Sequence, residues 1–390
     1  MELNKRNTLI LSVAQGLSIT TTNINMINTG LVGTILSANS ALATLPLSIQ
    51  FLTIALSLIP VSLLMGKFGR RPMFLLGAFS AFLGCLIIAF SIYHRSFLLF
   101  IIGSILLGIS QANQQFYRYA AADNVSTNLK SKAISLVLAG GVIAAFIGPE
   151  ISKNSFDFFP DYIYLASYLL AALIQIINFV ILIFIKIDKP PPNKNLLRPL
   201  SNILVQKNLI IAILAAGVGY SLMSFIMTAT PLQIVNVCKL GDEVSATVIQ
   251  WHVIAMFAPS FFTGFIITKF GNKNIMLVGV LLYVISILFA IIGQTFLNFW
   301  ISLFLCGLGW NFLYVGGSDV IAKSASPEER PKVQGVTDFI IFTFVATGSF
   351  LAGALHSNLG WELMMIYTSV PIIILFVSIL VIKPHELSLR

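Results

Sequence analysis

Uncharged polar side chains recur at helical spacing inside segments that are otherwise apolar. In the first such segment they are Gln15, Ser18, Thr22, Asn25 and Thr29, three or four residues apart. This spacing places all five on one face of a helix. Amides and hydroxyls can hydrogen-bond a small organic molecule, or they can join neighbouring helices at about 1 kcal/mol each. The pattern predicts a buried polar face, and both interpretations of it stay open.

Three further segments, the fourth, seventh and tenth, carry similar faces. They add amides, one arginine, hydroxyls and aromatic rings, with few other ionisable groups. We therefore expect a mostly uncharged organic substrate with a ring that can stack. The candidate substrate-binding residues are Gln15, Thr22, Asn25, Gln111, Gln115, Arg118, Tyr220, Thr228, Trp310, Asn311 and Tyr314.

Three ionisable side chains are candidates for carrying a proton. His252 lies within the eighth segment, Asp338 is expected in the first turn of the eleventh, and Glu150 lies near the outer end of the fifth. Histidine titrates near neutral pH and suits a proton relay. A lone histidine can equally be an ordinary hydrogen-bonding residue, and an acid in a first helical turn is favoured by the helix dipole alone. Proton coupling stays an open hypothesis.

The composition of the chain indicates which class of structure holds these residues in place. Hydrophobic residues make up 57% of the 390-residue chain, charged residues make up 9%, and the mean hydropathy is +0.93. A soluble domain has roughly 25% charged residues, so the composition indicates an integral membrane protein. Runs such as 74–92 and 164–185 are long enough to span a bilayer as helices, whereas a β-barrel would show short alternating segments. We predict an all-α fold.

We count twelve candidate transmembrane helices. A proline-rich, basic stretch divides them into an N-terminal six-helix half (1–186), a cytoplasmic linker (187–207) and a C-terminal six-helix half (208–390). Lysine and arginine collect on the side of this linker, and the other side has only Arg95, Lys153 and Lys239. Because cytoplasmic loops carry the excess of cations, we predict a multi-pass protein of the cytoplasmic (inner) membrane with both termini in the cytoplasm.

The second span of each half ends in a similar basic turn. The turn reads Gly66-Lys67-Phe68-Gly69-Arg70-Arg71 in one half and Thr268-Lys269-Phe270-Gly271-Asn272-Lys273 in the other. With the duplicated halves, it resembles the major facilitator superfamily, whose motif at this place is approximately Gly-x-Leu-Ala-Asp-Arg-x-Gly-Arg-Arg/Lys. The acidic position of the motif is glycine in the first turn and threonine in the second.

The resemblance implies a central cavity lined by spans one, four, seven and ten, and two pseudo-symmetric halves that rock about it. It also implies a conformational latch at the basic turns. Asp123 could replace the missing acid by pairing with Arg70, although a solvated interfacial acid is an equally open interpretation. The expected latch residues are Gly69, Arg70, Arg71, Asp123, Lys269, Gly271 and Asp319.

These features predict a secondary transporter and not an enzyme. We expect it to move a small neutral or weakly charged solute by alternating access, as proton-coupled efflux of a drug-like compound or metabolite. The alternative is an importer or facilitator of a nutrient such as a vitamin. Gly148-Pro149 resembles an antiporter motif, although helix packing also explains it. The expected partners are the solute, the lipid bilayer and, left open, protons; we expect a monomer with no nucleic acid, metal or cofactor.

Overall fold

A computed structural model describes residues 5–123, 127–187, 203–324 and 330–382. These residues form helices and connecting turns, with no strand among them, which confirms the all-α prediction. The helices are α1 (Lys5–Leu36), α2 (Leu45–Phe68), α3 (Arg70–Tyr93), α4 (Phe97–Gln114), α5 (Tyr117–Asp123), α6 (Thr127–Ser155), α7 (Leu165–Ile183), α8 (Lys207–Pro231), α9 (Asp242–Phe257), α10 (Ser260–Phe270), α11 (Asn272–Ile292), α12 (Phe296–Lys323), α13 (Arg330–Tyr367) and α14 (Ser369–Val381). A π-helical segment, Leu232–Val237, follows α8.

Long apolar helices dominate the described part of the chain. Nine segments in it are long and apolar enough to cross a bilayer. The last of them, Gly335–Val381, is interrupted at Gly360, which has φ +75 and so leaves the helical region. The prediction of a multi-pass membrane protein is therefore confirmed. Residues 188–202 of the predicted linker lie outside the described residues.

Glycines bring α1 and α6 into close contact. A Cβ added to Gly140 would lie 2.1 Å from the main-chain oxygen of Ser12, and one added to Gly148 would lie 2.7 Å from the Cβ of Asn23. Small residues let membrane helices approach closely. Packing against α1 therefore accounts for the glycine of the Gly148-Pro149 pair.

The two basic turns have the same backbone conformation. Gly69 ends α2 with φ +91, and Gly271 ends α10 with φ +81. Glycine tolerates these angles because it has no Cβ. In both turns the lysine, Lys67 or Lys269, lies 5.3 Å from the ring centroid of the phenylalanine that follows it. The sequence repeat is thus also a structural repeat.

Candidate functional site

Five aromatic side chains from four helices meet in the second half of the chain. This aromatic cluster comprises Tyr220 of α8, Phe257 of α9, Trp310 and Tyr314 of α12, and Phe342 of α13. Trp310 and Tyr314 are one turn apart and stack, with ring centroids 4.9 Å apart and planes 11° apart. Tyr220 packs edge-on against these two rings at 5.3 and 5.4 Å. The predicted site residues Tyr220, Trp310 and Tyr314 are therefore in mutual contact.

The indole side chain of Trp310 is buried. Its side chain is 5% exposed, and its Nε1–H has no acceptor in the part of the chain that the structure describes. Trp361 is as well buried, at 3% exposed, but its Nε1–H donates to the Ala290 carbonyl at 2.8 Å. An unsatisfied buried donor costs about 1–3 kcal/mol. Such groups are rare enough in folded proteins to require an explanation.

One positive and one negative side chain lie near the aromatic cluster. Arg118 of α5 and Asp338 of α13 interact electrostatically with each other, and both act on the phenol of Tyr220. The prediction that Asp338 lies in a first helical turn is wrong, because α13 begins at Arg330 and Asp338 falls in its third turn. The cluster is thus next to an interaction that joins the first and second parts of the chain.

The polar face of α1 hydrogen-bonds neighbouring helices of the first half. Thr22 accepts a bond from Gln111 Nε2 at 2.6 Å. Asn25 Nδ2 donates to Gln50 Oε1 at 2.7 Å, and Asn25 Oδ1 accepts from the Tyr168 hydroxyl at 2.9 Å. Asn25 is fully buried. Its hydrogen bonds support the helix-joining interpretation at this position.

A small polar cavity lies beside this face. Its volume is about 10 Å³, the space of one water molecule. Gln111 is at its wall, and the Oε1 of Gln111 has no donor among the described residues. The polar residues that line the cavity are Ser18, Thr21, Thr22, Gln50, Ser110, Gln111, Gln114 and Gln175.

The other candidate ligands have different surroundings. Gln15 is half-buried, and its Oε1 has no donor in the described ranges. Gln115, at the end of α4, is also half-buried. Thr228 is buried in α8, where its main-chain oxygen faces Gly30 of α1. Gln15 and Gln115 stay candidate ligands of a solute, whereas Thr228 lies at a helix contact.

The side chain of Asn311 links α9 to α10 across the break between these two helices. Its side chain is fully buried and donates to the Met256 carbonyl at 2.7 Å and to Ser260 Oγ at 2.6 Å. Its Oδ1 accepts from Thr263 Oγ1 at 2.6 Å. These three bonds use the donors and the acceptor of the amide within the protein.

The three proton-coupling candidates lie in unlike places. His252 is buried between α9 and α12, and its Nδ1 is 2.6 Å from the Leu303 carbonyl oxygen. Glu150 is exposed, and Asn154 Nδ2 donates to its Oε2 at 3.2 Å. Asp338 is the candidate that lies beside the aromatic cluster. No group of three metal-binding side chains occurs within the described ranges.

The last cation of each basic turn caps a distant helix. Arg71 Nη2 donates to the carbonyl of Ile183, at the end of α7, at 2.7 Å. Lys273 Nζ donates to the carbonyls of Leu380 and Ile382, at the end of α14, at 2.8 and 2.7 Å. The last carbonyls of a helix lack partners within it, and cations satisfy them well. Arg71 and Lys273 thus perform the same structural task in the two repeats.

The other polar latch residues are only partly described. Arg70 Nη1 donates to the Phe116 carbonyl at 3.4 Å, where α4 breaks before α5. The equivalent residue of the second turn, Asn272, donates from Nδ2 to Asp319 Oδ2 at 2.8 Å. The side chain of Asp123 lies outside the described residues, so its pairing with Arg70 stays a prediction.

Three polar contacts join the first and second parts of the chain at one end of the helices. They connect Thr44 with Ser349, Asn236 with Thr34, and Tyr164 with Asp242. Thr44 Oγ1 donates to the Ser349 carbonyl at 3.0 Å, Asn236 Nδ2 donates to Thr34 Oγ1 at 3.5 Å, and the Tyr164 hydroxyl donates to the carboxylate of Asp242. We call these the outer contacts, because the predicted topology puts this end outside.

Three glycines lie towards the opposite end of these helices: Gly66 of α2, Gly264 of α10 and Gly335 of α13. A Cβ added to any of them would meet nothing within 4 Å among the described residues. The polar contacts between the two parts of the chain that the structure describes therefore lie at the outer end.

Two members of the aromatic cluster were not found from the sequence. Phe257 and Phe342 lie in apolar segments that contain many phenylalanines, so their spacing carried no signal. Tyr164 and Asp242 were also missed. They are separated by the predicted linker, and neither belongs to a pattern.

Comparison with known proteins assigns the family. The family model for the Major Facilitator Superfamily matches residues 10–237 and 234–389. The chain belongs to this superfamily. It is therefore a transporter of the major facilitator type and not an enzyme, as the sequence predicted.

Relatives from bacteria match nearly the whole transporter. The riboflavin transporter RfnT of Brucella anthropi is 38% identical over 362 residues, which cover 92% of this chain and 91% of that protein. The uncharacterized MFS-type transporter YdeG of Bacillus subtilis is 28% identical over 377 residues, covering 90% and 86%.

Solved structures of two other transporters share its fold. A POT family transporter in complex with 5-aminolevulinic acid has a TM-score of 0.75 at 16% identity, covering 98% of this chain and 96% of that chain. The human organic anion transporter MFSD10 (TETRAN) has a TM-score of 0.69 at 14% identity, covering 97% and 100%. At these identities the likeness concerns the fold alone.

Proposed function

We propose that this protein takes up riboflavin, or a flavin of similar size, across the cytoplasmic membrane by alternating access. The observation that carries the proposal is the 38% identity with the riboflavin transporter of Brucella anthropi over 92% of this chain. Riboflavin is an uncharged vitamin with a planar ring, which is the kind of solute that the sequence favours. The relationship supports vitamin import, the alternative interpretation, over drug efflux.

The aromatic cluster supports a planar substrate. Tyr220 and Tyr314 are partly exposed, and aromatic pairs gain about 0.5–1.5 kcal/mol beyond the burial of their area. We propose that the flavin ring stacks here and that the sugar-alcohol chain hydrogen-bonds Gln15 and Gln115. Asn25 and Asn311 then have a structural role, because other helices already occupy their hydrogen-bonding groups.

We further propose twelve spans, six in each half, in a monomer with both termini in the cytoplasm. The segment Gly335–Val381 has 47 residues and would be about 70 Å long as one helix, more than twice the thickness of a bilayer. The left-handed Gly360 divides it into two spans. With this last segment counted as two spans, the other eight apolar segments together with α1 and α6, of 32 and 29 residues, bring the number to twelve.

In this arrangement the described conformation corresponds to an inward-facing state. The outer contacts join the halves at one end, and at the other end three glycines, Gly66, Gly264 and Gly335, have space around their Cβ positions. Rocking of the two halves would exchange these ends around the aromatic cluster. Of the three proton-coupling candidates we propose Asp338, because its interaction with Arg118 joins the halves beside this cluster.

The proposal is tested by transport of labelled riboflavin into proteoliposomes that contain the purified protein. We expect saturable uptake and counterflow of riboflavin, which protein-free liposomes lack. In cells that require external riboflavin, expression should allow growth at a low vitamin concentration. Excretion of riboflavin by such cells would indicate efflux, and folded protein without counterflow would exclude flavin as the substrate.

A further inference from the structure

We infer that the indole N–H of Trp310 donates a hydrogen bond to an acceptor atom on the edge of the substrate ring. Trp310 is then a specificity-determining residue that recognises heteroaromatic rings with a carbonyl oxygen or unprotonated ring nitrogen at the edge. This inference rests on the proposed transport of flavin and deepens it.

Burial makes the free donor of Trp310 informative. The ring is 5% exposed, so bulk water does not replace the missing partner, and no acceptor lies within reach in the described ranges. Trp361 shows that this fold can satisfy a buried indole, since the Ala290 carbonyl accepts its hydrogen at 2.8 Å. A buried donor left unpaired is costly. A ligand that supplies the acceptor removes this cost when it binds.

The neighbours of Trp310 fix the direction of that donor. Tyr314 stacks on one face at 4.9 Å, while Tyr220 and Phe257 pack edge-on at 5.3 and 6.0 Å. These contacts come from three helices, so the indole cannot turn to seek another partner without losing them. The donor is therefore held in place before the substrate arrives, which lowers the entropy cost of binding.

A site with one unpaired donor discriminates by chemistry as well as by shape. A flavin edge presents carbonyl oxygens and ring nitrogens that accept hydrogen bonds. A flat hydrocarbon of equal size would stack but would leave the donor unpaired, and sites built to hydrogen-bond a ligand reject such analogues. The transporter should thus prefer flavins to hydrocarbon rings of the same area.

The test replaces the donor and retains an aromatic ring. Full-length wild type and Trp310→Phe are titrated in lipid nanodiscs with riboflavin and with its 1-deaza, 5-deaza, 2-thio and 4-thio analogues, and quenching of the flavin fluorescence is measured. We expect Trp310→Phe to bind riboflavin about tenfold more weakly or worse. The analogue that is altered at the atom that accepts the Trp310 hydrogen bond should bind wild type with a similar loss of affinity. Trp310→Phe should not distinguish that analogue from riboflavin.

Thermal unfolding without ligand separates recognition from a structural role. Trp310→Phe removes an unpaired buried donor, so its melting temperature should stay the same or rise. Trp361→Phe is the matched control: it leaves the Ala290 carbonyl without its donor, so the melting temperature should fall while the affinity for riboflavin is retained.

Three results would be decisive against the inference. Equal affinity of wild type and Trp310→Phe for riboflavin would overturn it. So would a lower melting temperature of Trp310→Phe with the same loss of affinity for every analogue, which would indicate a packing role. Wild type that binds no riboflavin would instead refute the proposed function, and the inference with it.

Discussion

At the scale of single residues, hydrogen bonds decide which polar groups remain available to a solute. Asn311 is buried and makes three hydrogen bonds, one to α9 and two to α10. We predict that Asn311→Ala lowers the free energy of unfolding by about 1–3 kcal/mol and leaves riboflavin affinity near that of wild type. Chemical denaturation and flavin titration measure the two quantities. The control is Asn154→Ala, at an exposed position, which should change neither the free energy of unfolding nor the affinity for riboflavin. If Asn311→Ala instead bound riboflavin more weakly at unchanged stability, Asn311 would contact the substrate.

A second residue-scale prediction concerns the proton. Asp338→Asn keeps the shape of the side chain but cannot carry the negative charge that interacts with Arg118. We apply a pH gradient that is acidic on the side from which riboflavin enters. We expect this gradient to have no effect on riboflavin uptake by the variant, whereas counterflow of riboflavin continues. Glu150→Gln is the control, since that carboxylate is exposed and bonded to Asn154. Gradient-driven uptake that survives Asp338→Asn would exclude the aspartate as the proton carrier.

Sequence reasoning reached the aromatic cluster only in part, for a physical reason. Tyr220, Trp310 and Tyr314 carry polar atoms, so they were noticeable in apolar segments. Phe257 and Phe342 have none and look like lipid-facing residues until the helices are placed. Nothing local distinguishes an amide that meets a solute from one that meets another helix. The structural environments of Asn25 and Asn311 therefore could not be predicted.

At the scale of helices, packing of α1 against α6 depends on glycine. We predict that Gly140→Ala destabilises the protein by about 1–3 kcal/mol, because its Cβ would lie 2.1 Å from the Ser12 carbonyl oxygen and force the helices apart. The control is Gly335→Ala in α13, which should keep or raise stability because its Cβ meets nothing within 4 Å among the described residues. Thermal unfolding in detergent compares the two variants. Equal stability of Gly140→Ala and wild type would show that α1 and α6 are not held this closely.

The basic turns show what local sequence can and cannot indicate about an element. The repeated Lys-Phe-Gly predicted that two turns are related, and both glycines have positive φ. The caps that Arg71 and Lys273 provide could not be predicted. Their acceptors are main-chain carbonyls at Ile183, Leu380 and Ile382. Every residue has a main-chain carbonyl, so the sequence does not indicate which of them accept these bonds.

At the scale of the whole molecule, the outer contacts join the first and second parts of the chain at one end. Burial and the neighbouring Asp242 raise the pKa of the Tyr164 phenol, so the hydroxyl stays a donor at neutral pH. Because the pKa is raised, the stability that the Tyr164 hydroxyl contributes is complete below the ordinary tyrosine pKa of about 10. It is lost only as the pH rises through the raised pKa. The contact should therefore be independent of pH in the physiological range.

Removing this contact should shift the conformational equilibrium. We predict that Tyr164→Phe increases opening of the outer end. The measurement is the rate at which a membrane-impermeant maleimide labels a cysteine at Ser349, which is buried there, in a Cys238→Ser background. The rate should rise several-fold in right-side-out vesicles, whereas Tyr367→Phe, at an exposed position, should have no effect. An unchanged rate would mean that Tyr164 does not help to hold the end closed.

Composition predicted a helical membrane protein, but not its conformation. Apolar length and the position of cations depend on the sequence of each segment alone. Closure of the outer end depends on pairs such as Thr44 with Ser349, which are 305 residues apart. In the alternating access proposed above, such pairs would change partners between states, so one sequence cannot specify a single set of them.

The outer contacts of this conformer have a pharmacological consequence. In the inward-facing state proposed above they close the outer end, so a competitive inhibitor reaches the aromatic cluster only from inside the cell. A flavin antagonist that stays outside the cell can bind only when transport has converted the protein to the outward-facing conformer. Block by external compounds would then be use-dependent, and would deepen as the transporter works.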